Sequence, residues 1–121
     1  LFAGDVHGGQ GDGELTGTAD EVRATLTLSC EVLKARRIPH VRIERPDRII
    51  ALGCDRPLEK AVSIAVENLM DWIVADWGLD EREAMVMFST CPDFRVHVYQ
   101  MCKIGKLAFV AGAELPKKYV D

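Results

Sequence analysis

The chain has no Cys-x-x-Cys pair. Its four cysteines, Cys30, Cys54, Cys91 and Cys102, stand far apart, which excludes a zinc knuckle and a dithiol redox motif and fits free thiols in a reducing cytoplasm. It also has no excess of positive charge. Fifteen Lys and Arg against 19 Asp and Glu give a formal charge of -4, so no general electrostatic drive brings it to nucleic acid or to an anionic membrane, and the expected ligand is small or proteinaceous. No apolar run approaches the roughly 20 residues of a membrane span, and no basic-then-apolar leader opens the sequence. An initiating methionine is missing as well. Leu1 runs almost at once into a glycine-rich segment, a start that reads as a cut through a longer protein. There is no internal repeat and no low-complexity linker. With 121 residues, 48% hydrophobic and 28% charged, the expectation is one domain around one core.

What the sequence does have is a change of period along its length. Leu1 to Val6 reads as the end of a strand. From Val22 to Val32 apolar residues alternate with polar ones: Val22, Ala24, Leu26, Leu28, Cys30 and Val32 on one side, Arg23, Thr25, Thr27, Ser29 and Glu31 on the other. That predicts a long strand with one buried face, with Cys30 a small buried hydrophobe. After a basic turn at Lys34 to Arg37, the segments Val41 to Arg45 and Arg48 to Gly53 flank Pro46-Asp47 and predict a hairpin.

The period then becomes helical. Leu58, Ala61, Val62, Ala65, Leu69, Trp72 and Ile73 form a stripe over Pro57 to Trp77, with Pro57 suited to the first helical position and Gly78 to the position past the end. Asp80 followed by Glu83 predicts the capped start of a second helix that stops before Pro92. Phe94, Val96 and Val98 alternate with Arg95, His97 and Tyr99, and Leu107 to Ala113 is apolar, so two more strands are expected around a turn at Lys103 to Lys106. The fold class is α+β: mainly β-strands packed with a two-helix hairpin. Trp72, Trp77, Met85 and Met87 read as core or interface, and His40 and His97, with no acid at useful spacing, as structural. Cys54 precedes a helix without a base beside it.

The chemistry concentrates in Gly4 to Glu14. Six of the ten glycines lie between Gly4 and Gly17, interleaved with Asp5, His7, Asp12 and Glu14. In extended backbone, Asp5 and His7 leave on the same face with Cα atoms roughly 6.5 Å apart, and a glycine turn could return Asp12 and Glu14 beside them. Carboxylates with an imidazole suit Zn²⁺, Mn²⁺ or Fe²⁺. Such an ion polarises a carbonyl and lowers the pKa of water from ~15.7 toward ~7, and Glu14 could carry the proton from water to a leaving amine. The spacing does not match a calcium loop. Without a following Lys, Gly9-x-Gly11-x-Gly13 does not make a phosphate cradle either.

These residues carry a resemblance. Gly4-Asp5-Val6-His7-x-x-Gln10-Gly11-Asp12-Gly13-Glu14, followed by Gly17-Thr18-Ala19-x-Glu21, resembles the acetamidase/formamidase signature Gly-Asp-Val-His-Ala-Ala-Gln-Gly-Asp-Gly-Glu and its Gly-Thr-x-x-Glu continuation. Met70-Asp71-Trp72-Ile73, Glu83-Ala84 through Ser89, Asp93-Phe94-Arg95-Val96 and Leu115-Pro116-Lys117 resemble later segments of the same family. Gly8-Gly9 departs from the usual Ala-Ala, and Thr90-Cys91-Pro92 from the usual approach to Asp93, which leaves the identity of the amide open.

The resemblance implies that residues 1–121 are the C-terminal part of a larger β-rich amidohydrolase catalytic domain. It further implies a cytoplasmic enzyme that hydrolyses formamide, acetamide or related small linear amides to carboxylate and ammonia, assembled as a homo-oligomer and completed by the N-terminal portion of the same protein. By motif position, Asp5 and His7 are assigned to a divalent metal, with zinc first, Glu14 and Asp12 to catalysis, and Gln10 and Gly11 to substrate binding. Two other readings stand beside it: a cysteine-dependent amidase, and a non-catalytic assembly or ligand-binding module with a structural ion.

Overall fold

The computed structural model describes residues 4–121. The strand expected at Leu1 to Val6 lies in part outside them, and Gly4 to Val6 are not in a strand.

The architecture is α+β. Four strands, β1 (Arg42–Glu44), β2 (Arg48–Asp55), β3 (Arg95–Gln100) and β4 (Phe109–Pro116), form one sheet in the order β1-β2-β4-β3. Every neighbouring pair is antiparallel. β1 and β2 make the hairpin expected around Pro46-Asp47, closed by Arg45 N–H donating to the Arg48 carbonyl at 2.9 Å.

One face of the sheet carries the core. Ile49 pairs with Leu115 and Ala51 with Ala113, and directly opposed residues share a face. All four are buried, together with Ala65, Leu69, Trp72 and Ile73 of helix α1 (Leu58–Trp77). The helix lies very close to the sheet at Gly53, where a Cβ would stand 2.0 Å from the Ala61 carbonyl oxygen. A hydrogen there is what admits the helix.

α1 starts one residue later than expected. Pro57 occupies the N-cap rather than the first helical position. Gly78 ends the helix as expected, in the left-handed conformation at φ 70 with its N–H on the Val74 carbonyl. Helix α2 (Glu81–Thr90) begins with the expected capping box: Asp80 accepts from Arg82 N–H, and Glu83 reaches back to Asp80 N–H. It adds Ala84 and Phe88 to the buried set, Phe88 within the main core cluster and stacked on Phe94 at 5.0 Å. A 3₁₀ turn, Lys117–Tyr119, follows β4.

The core also contains a polar group that apolar periodicity does not reveal. Asn68 is 2% exposed on the buried face of α1. Its Nδ2 donates to the carbonyls of Val41 and Leu52, and its Oδ1 accepts from Arg42 Nε at 2.9 Å. The bonds tie helix, β1 and β2 together and leave the amide satisfied.

The long strand expected over Val22 to Val32 does not form. The backbone there is irregular, and Val22, Leu26, Leu28 and Val32 are all exposed. Cys30, expected on a buried face, is exposed too. Alternation specifies which side chains would share a face, but a strand also needs a neighbour for its N–H and C=O groups. Among the described residues no strand runs alongside this segment. Met85 is exposed as well, whereas Trp77 and Met87 pack on the core.

Candidate active site

The glycine segment folds beside the exit of β3. A short antiparallel pairing organises it: Gly8 N–H donates to the Asp20 carbonyl at 2.8 Å, Val22 N–H to the Val6 carbonyl at 3.2 Å, and His7 bridges to Glu21 between them. Gln10 Oε1 accepts from Asp20 N–H at 2.7 Å and braces the pair. Further on, Gly13 carbonyl accepts from Met101 N–H at 2.8 Å, which docks the loop against the strand. Gly17, at φ 70, packs so closely on Ile104 that a Cβ would lie 2.4 Å from its Cδ1.

This pairing brings a carboxylate to each side of one imidazole. His7 Nε2 lies 3.6 Å from Asp5 Oδ2 and 3.5 Å from Glu21 Oε1. Opposed residues on an antiparallel pair share a face, so Glu21 reaches His7 from across the bridge. Asp5 reaches it from two residues upstream through a left-handed backbone at φ 58. A non-glycine residue there costs of order 1–3 kcal/mol, and such positions cluster at functional sites.

The separations are longer than hydrogen bonds. His7 Nε2 is nevertheless shut off from solvent and has no hydrogen-bond partner among the described residues. Two ligand atoms held at ~2.0–2.2 Å by a tetrahedral ion stand about 3.4 Å apart. That is close to what His7 shows to both carboxylates, and the three ligand atoms all lie within 4.8 Å of one another. The donor set therefore fits a divalent cation.

Asp5, His7 and Glu14 line one cavity of about 330 Å³ with Gln100, Cys102 and Leu107. Glu14, like Asp5, has positive φ, at 43. It also borders a second hollow of about 510 Å³ lined by Gln10, Gly11, Asp12 and Asp20. The structure thus brings Asp5, His7 and Glu14 to one cavity and places Asp12, Gln10 and Gly11 around its neighbour. Asp12 also lies close enough to Tyr99 for its charge to act on that hydroxyl. Burial chiefly pushes the Tyr99 hydroxyl above its usual range, and the carboxylates of Glu114 and Asp12 add to that push.

Glu21 carries no role in the sequence reading. It appears there only as the last residue of the Gly17-Thr18-Ala19-x-Glu21 segment, and that segment was the available signal. His97, expected to lack an acid, faces the buried Glu114, with 3.2 Å between Nε2 and Oε2, while Arg48 donates to the other oxygen of Glu114 at 2.7 Å. In the register of β3 and β4 His97 stands opposite Gly112 and Glu114 opposite Arg95, which makes His97 and Glu114 diagonal neighbours, and no local spacing reveals it. The four cysteines are free; Cys102 alone borders the cavity with the glycine-segment carboxylates.

No model of a protein family and no curated protein matches the chain. Solved structures do. An acetamidase from Yersinia enterocolitica matches 95% of this chain at TM-score 0.84 and 32% identity, and this match covers 33% of that chain. An acetamidase from Bacillus halodurans matches 93% at TM-score 0.77 and 23% identity, covering 37% of that chain, a likeness of fold. In fold the chain is similar to both acetamidases and in sequence to that of Yersinia enterocolitica, and it spans about a third of their length.

Proposed function

We propose that this chain supplies part of the active site of an amidohydrolase that cleaves the C–N bond of small linear amides, formamide and acetamide first, to carboxylate and ammonia. The observation that carries the reading is the orphaned His7 Nε2 between two carboxylates at metal-ligand spacing, in a chain that shares the acetamidase fold. Asp5, His7 and Glu21 would hold the cation, with zinc the first choice for a set of one nitrogen and two oxygens. Bound there, it would supply Lewis-acid polarisation of the amide carbonyl.

The chain's own residues do the rest. Glu14 borders the same cavity and acts as the proton carrier: it takes a proton from the attacking water and delivers it to the departing nitrogen, so that amide and water become carboxylic acid and ammonia, which part as carboxylate and ammonium at neutral pH. Asp12 orients the loop from the neighbouring hollow. The cavity of about 330 Å³ suits a substrate of few atoms.

The reading includes polypeptide beyond these 121 residues and a homo-oligomer. It is supported by the share of the acetamidases that the chain spans and by the exposed alternation of Val22, Leu26, Leu28 and Val32, which has the pattern of a strand awaiting a neighbour. No helix among the described residues is long and apolar enough to cross a membrane. We assign the protein to the cytoplasm, in keeping with its free cysteines.

The test is metal analysis of the full-length protein with ammonia release measured over a panel of short amides, before and after chelation. Release that survives complete metal removal would sink the metal-assisted mechanism. Activity lost on alkylating the cysteines but not on chelation would favour a thiol amidase instead.

A further inference from the structure

The end of β3 is irregular in a way that serves the cavity. Val98 pairs with Ala111 and Gln100 with Val110, so Tyr99 is an extra residue opposite the intervening peptide. Opposed residues share a face. Val98 therefore lies on the face of Ala111, towards α1, whereas Gln100 lies on the face of Val110, away from it. In regular strand the two would point the same way. The bulge turns Gln100 over, a use of bulges found next to active sites.

Turned this way, Gln100 lines the cavity shared by Asp5, His7 and Glu14. Its Nε2 is on the side of Sγ of the buried Cys102. Its Oε1 is shut off from solvent and accepts no hydrogen bond among the described residues. A buried acceptor in that state favours any ligand that brings it a donor.

We infer that Gln100 recognises the amide nitrogen of the substrate, its Oε1 accepting a hydrogen bond from the N–H₂ group; the inference rests on the amidase reading of the same cavity. A primary amide carries that donor. An ester with the same acyl group does not, and neither does the carboxylate product, whose oxygens would meet the lone pairs of Oε1. Gln100 thus selects amide over ester and substrate over product.

The test uses the full-length protein with Gln100→Met, which keeps the stem and removes the acceptor, and Gln100→Glu, which keeps an acceptor. For acetamide, KM in Gln100→Met should rise about tenfold, the effect of one neutral hydrogen bond, with KM for methyl acetate unchanged. Gln100→Glu should retain the preference for the amide. A Gln100→Met enzyme with the wild-type preference, or with both substrates impaired equally and a lowered Tm, overturns the inference and leaves the amidase reading standing. If the wild type releases no ammonia, the amidase reading fails. Calorimetry then decides on Gln100 alone: about tenfold weaker acetamide binding in Gln100→Met supports it, and equal binding overturns it.

Discussion

His7 Nε2 stands 3.5 Å from a carboxylate oxygen of Glu21, directly across a single antiparallel bridge. Removing one side of this arrangement should therefore show in metal content before it shows in fold. Glu21→Ala deletes an exposed side chain on an irregular segment, so little change in Tm is expected without metal. Loss of outer partners alone costs metal affinity 10–100-fold, and loss of a ligand should cost at least about as much. Metal titration of Glu21→Ala beside Glu31→Ala, an exposed acid of the neighbouring segment, checks it. Equal affinities in the two variants would remove Glu21 from the site.

Asn68 gives a prediction about stability. Its side chain serves two carbonyls and the Arg42 guanidinium from a nearly solvent-free position. Asn68→Leu is similar in size but leaves those groups without their partner, and each buried group so stranded costs about 1–3 kcal/mol. A loss of about 2–4 kcal/mol in urea unfolding is expected, because Val41 can keep its bond from Leu52 N–H. A change under 1 kcal/mol would show that water replaces the amide at little cost.

The parts of this fold that were legible are those whose signals are local. Pro46-Asp47 between apolar runs, the stripe from Leu58 to Ile73, and Asp80 with Glu83 each specify geometry within a few residues, and each appears in place. The segment from Val22 to Val32 has as clear a pattern as any of them and forms no strand, because its partner is not set by its own residues. The site divides the same way. Composition and motif mark Asp5, His7 and Glu14. Glu21 enters through the pairing of residues 6–8 with 20–22, and Gln100 through a bulge. His97 meets Glu114 only through sheet register. Asn68 sits on an apolar stripe that periodicity reads as hydrophobic throughout.

The C-terminal turn should respond to acid. The hydrogen bond from Lys118 chiefly, and that from Tyr119, hold the Asp93 carboxyl below its ordinary 3.8. A carboxylate depressed in the folded state contributes stability that is present above its unfolded pKa and is lost as pH falls through the folded one. Docking of the Lys117–Tyr119 turn should therefore be constant above about pH 4 and weaken below it. Trp77 offers the probe, since its Nε1 donates to Asp121 Oδ1 at the same end of the chain. In Asp93→Asn the fluorescence change assigned to this docking should vanish from the acid titration. Its persistence would place the transition on another carboxylate, with Asp121 the next to replace.

Glu14 is the most exacting test of the proposed chemistry. Its backbone is left-handed at φ 43, its carbonyl accepts from Gly17 N–H at 2.9 Å, and its side chain borders both hollows of the loop. Glu14→Gln preserves shape and backbone demands while removing the ability to take a proton. If Glu14 carries the proton between water and leaving nitrogen, kcat for acetamide should fall by about 10²–10⁴, with metal content and KM near wild type. A purely structural Glu14 predicts something else: a modest fall in kcat accompanied by a lower Tm. A leaving group that needs no protonation separates the two further. An activated ester such as a nitrophenyl acetate bypasses the second half of the proton transfer, so Glu14→Gln should be impaired less on it than on acetamide. Equal impairment on both substrates would confine Glu14 to activating water. No impairment on either would move the proton carrier elsewhere, with Asp12, in the adjoining hollow that Glu14 also borders, the residue to replace next.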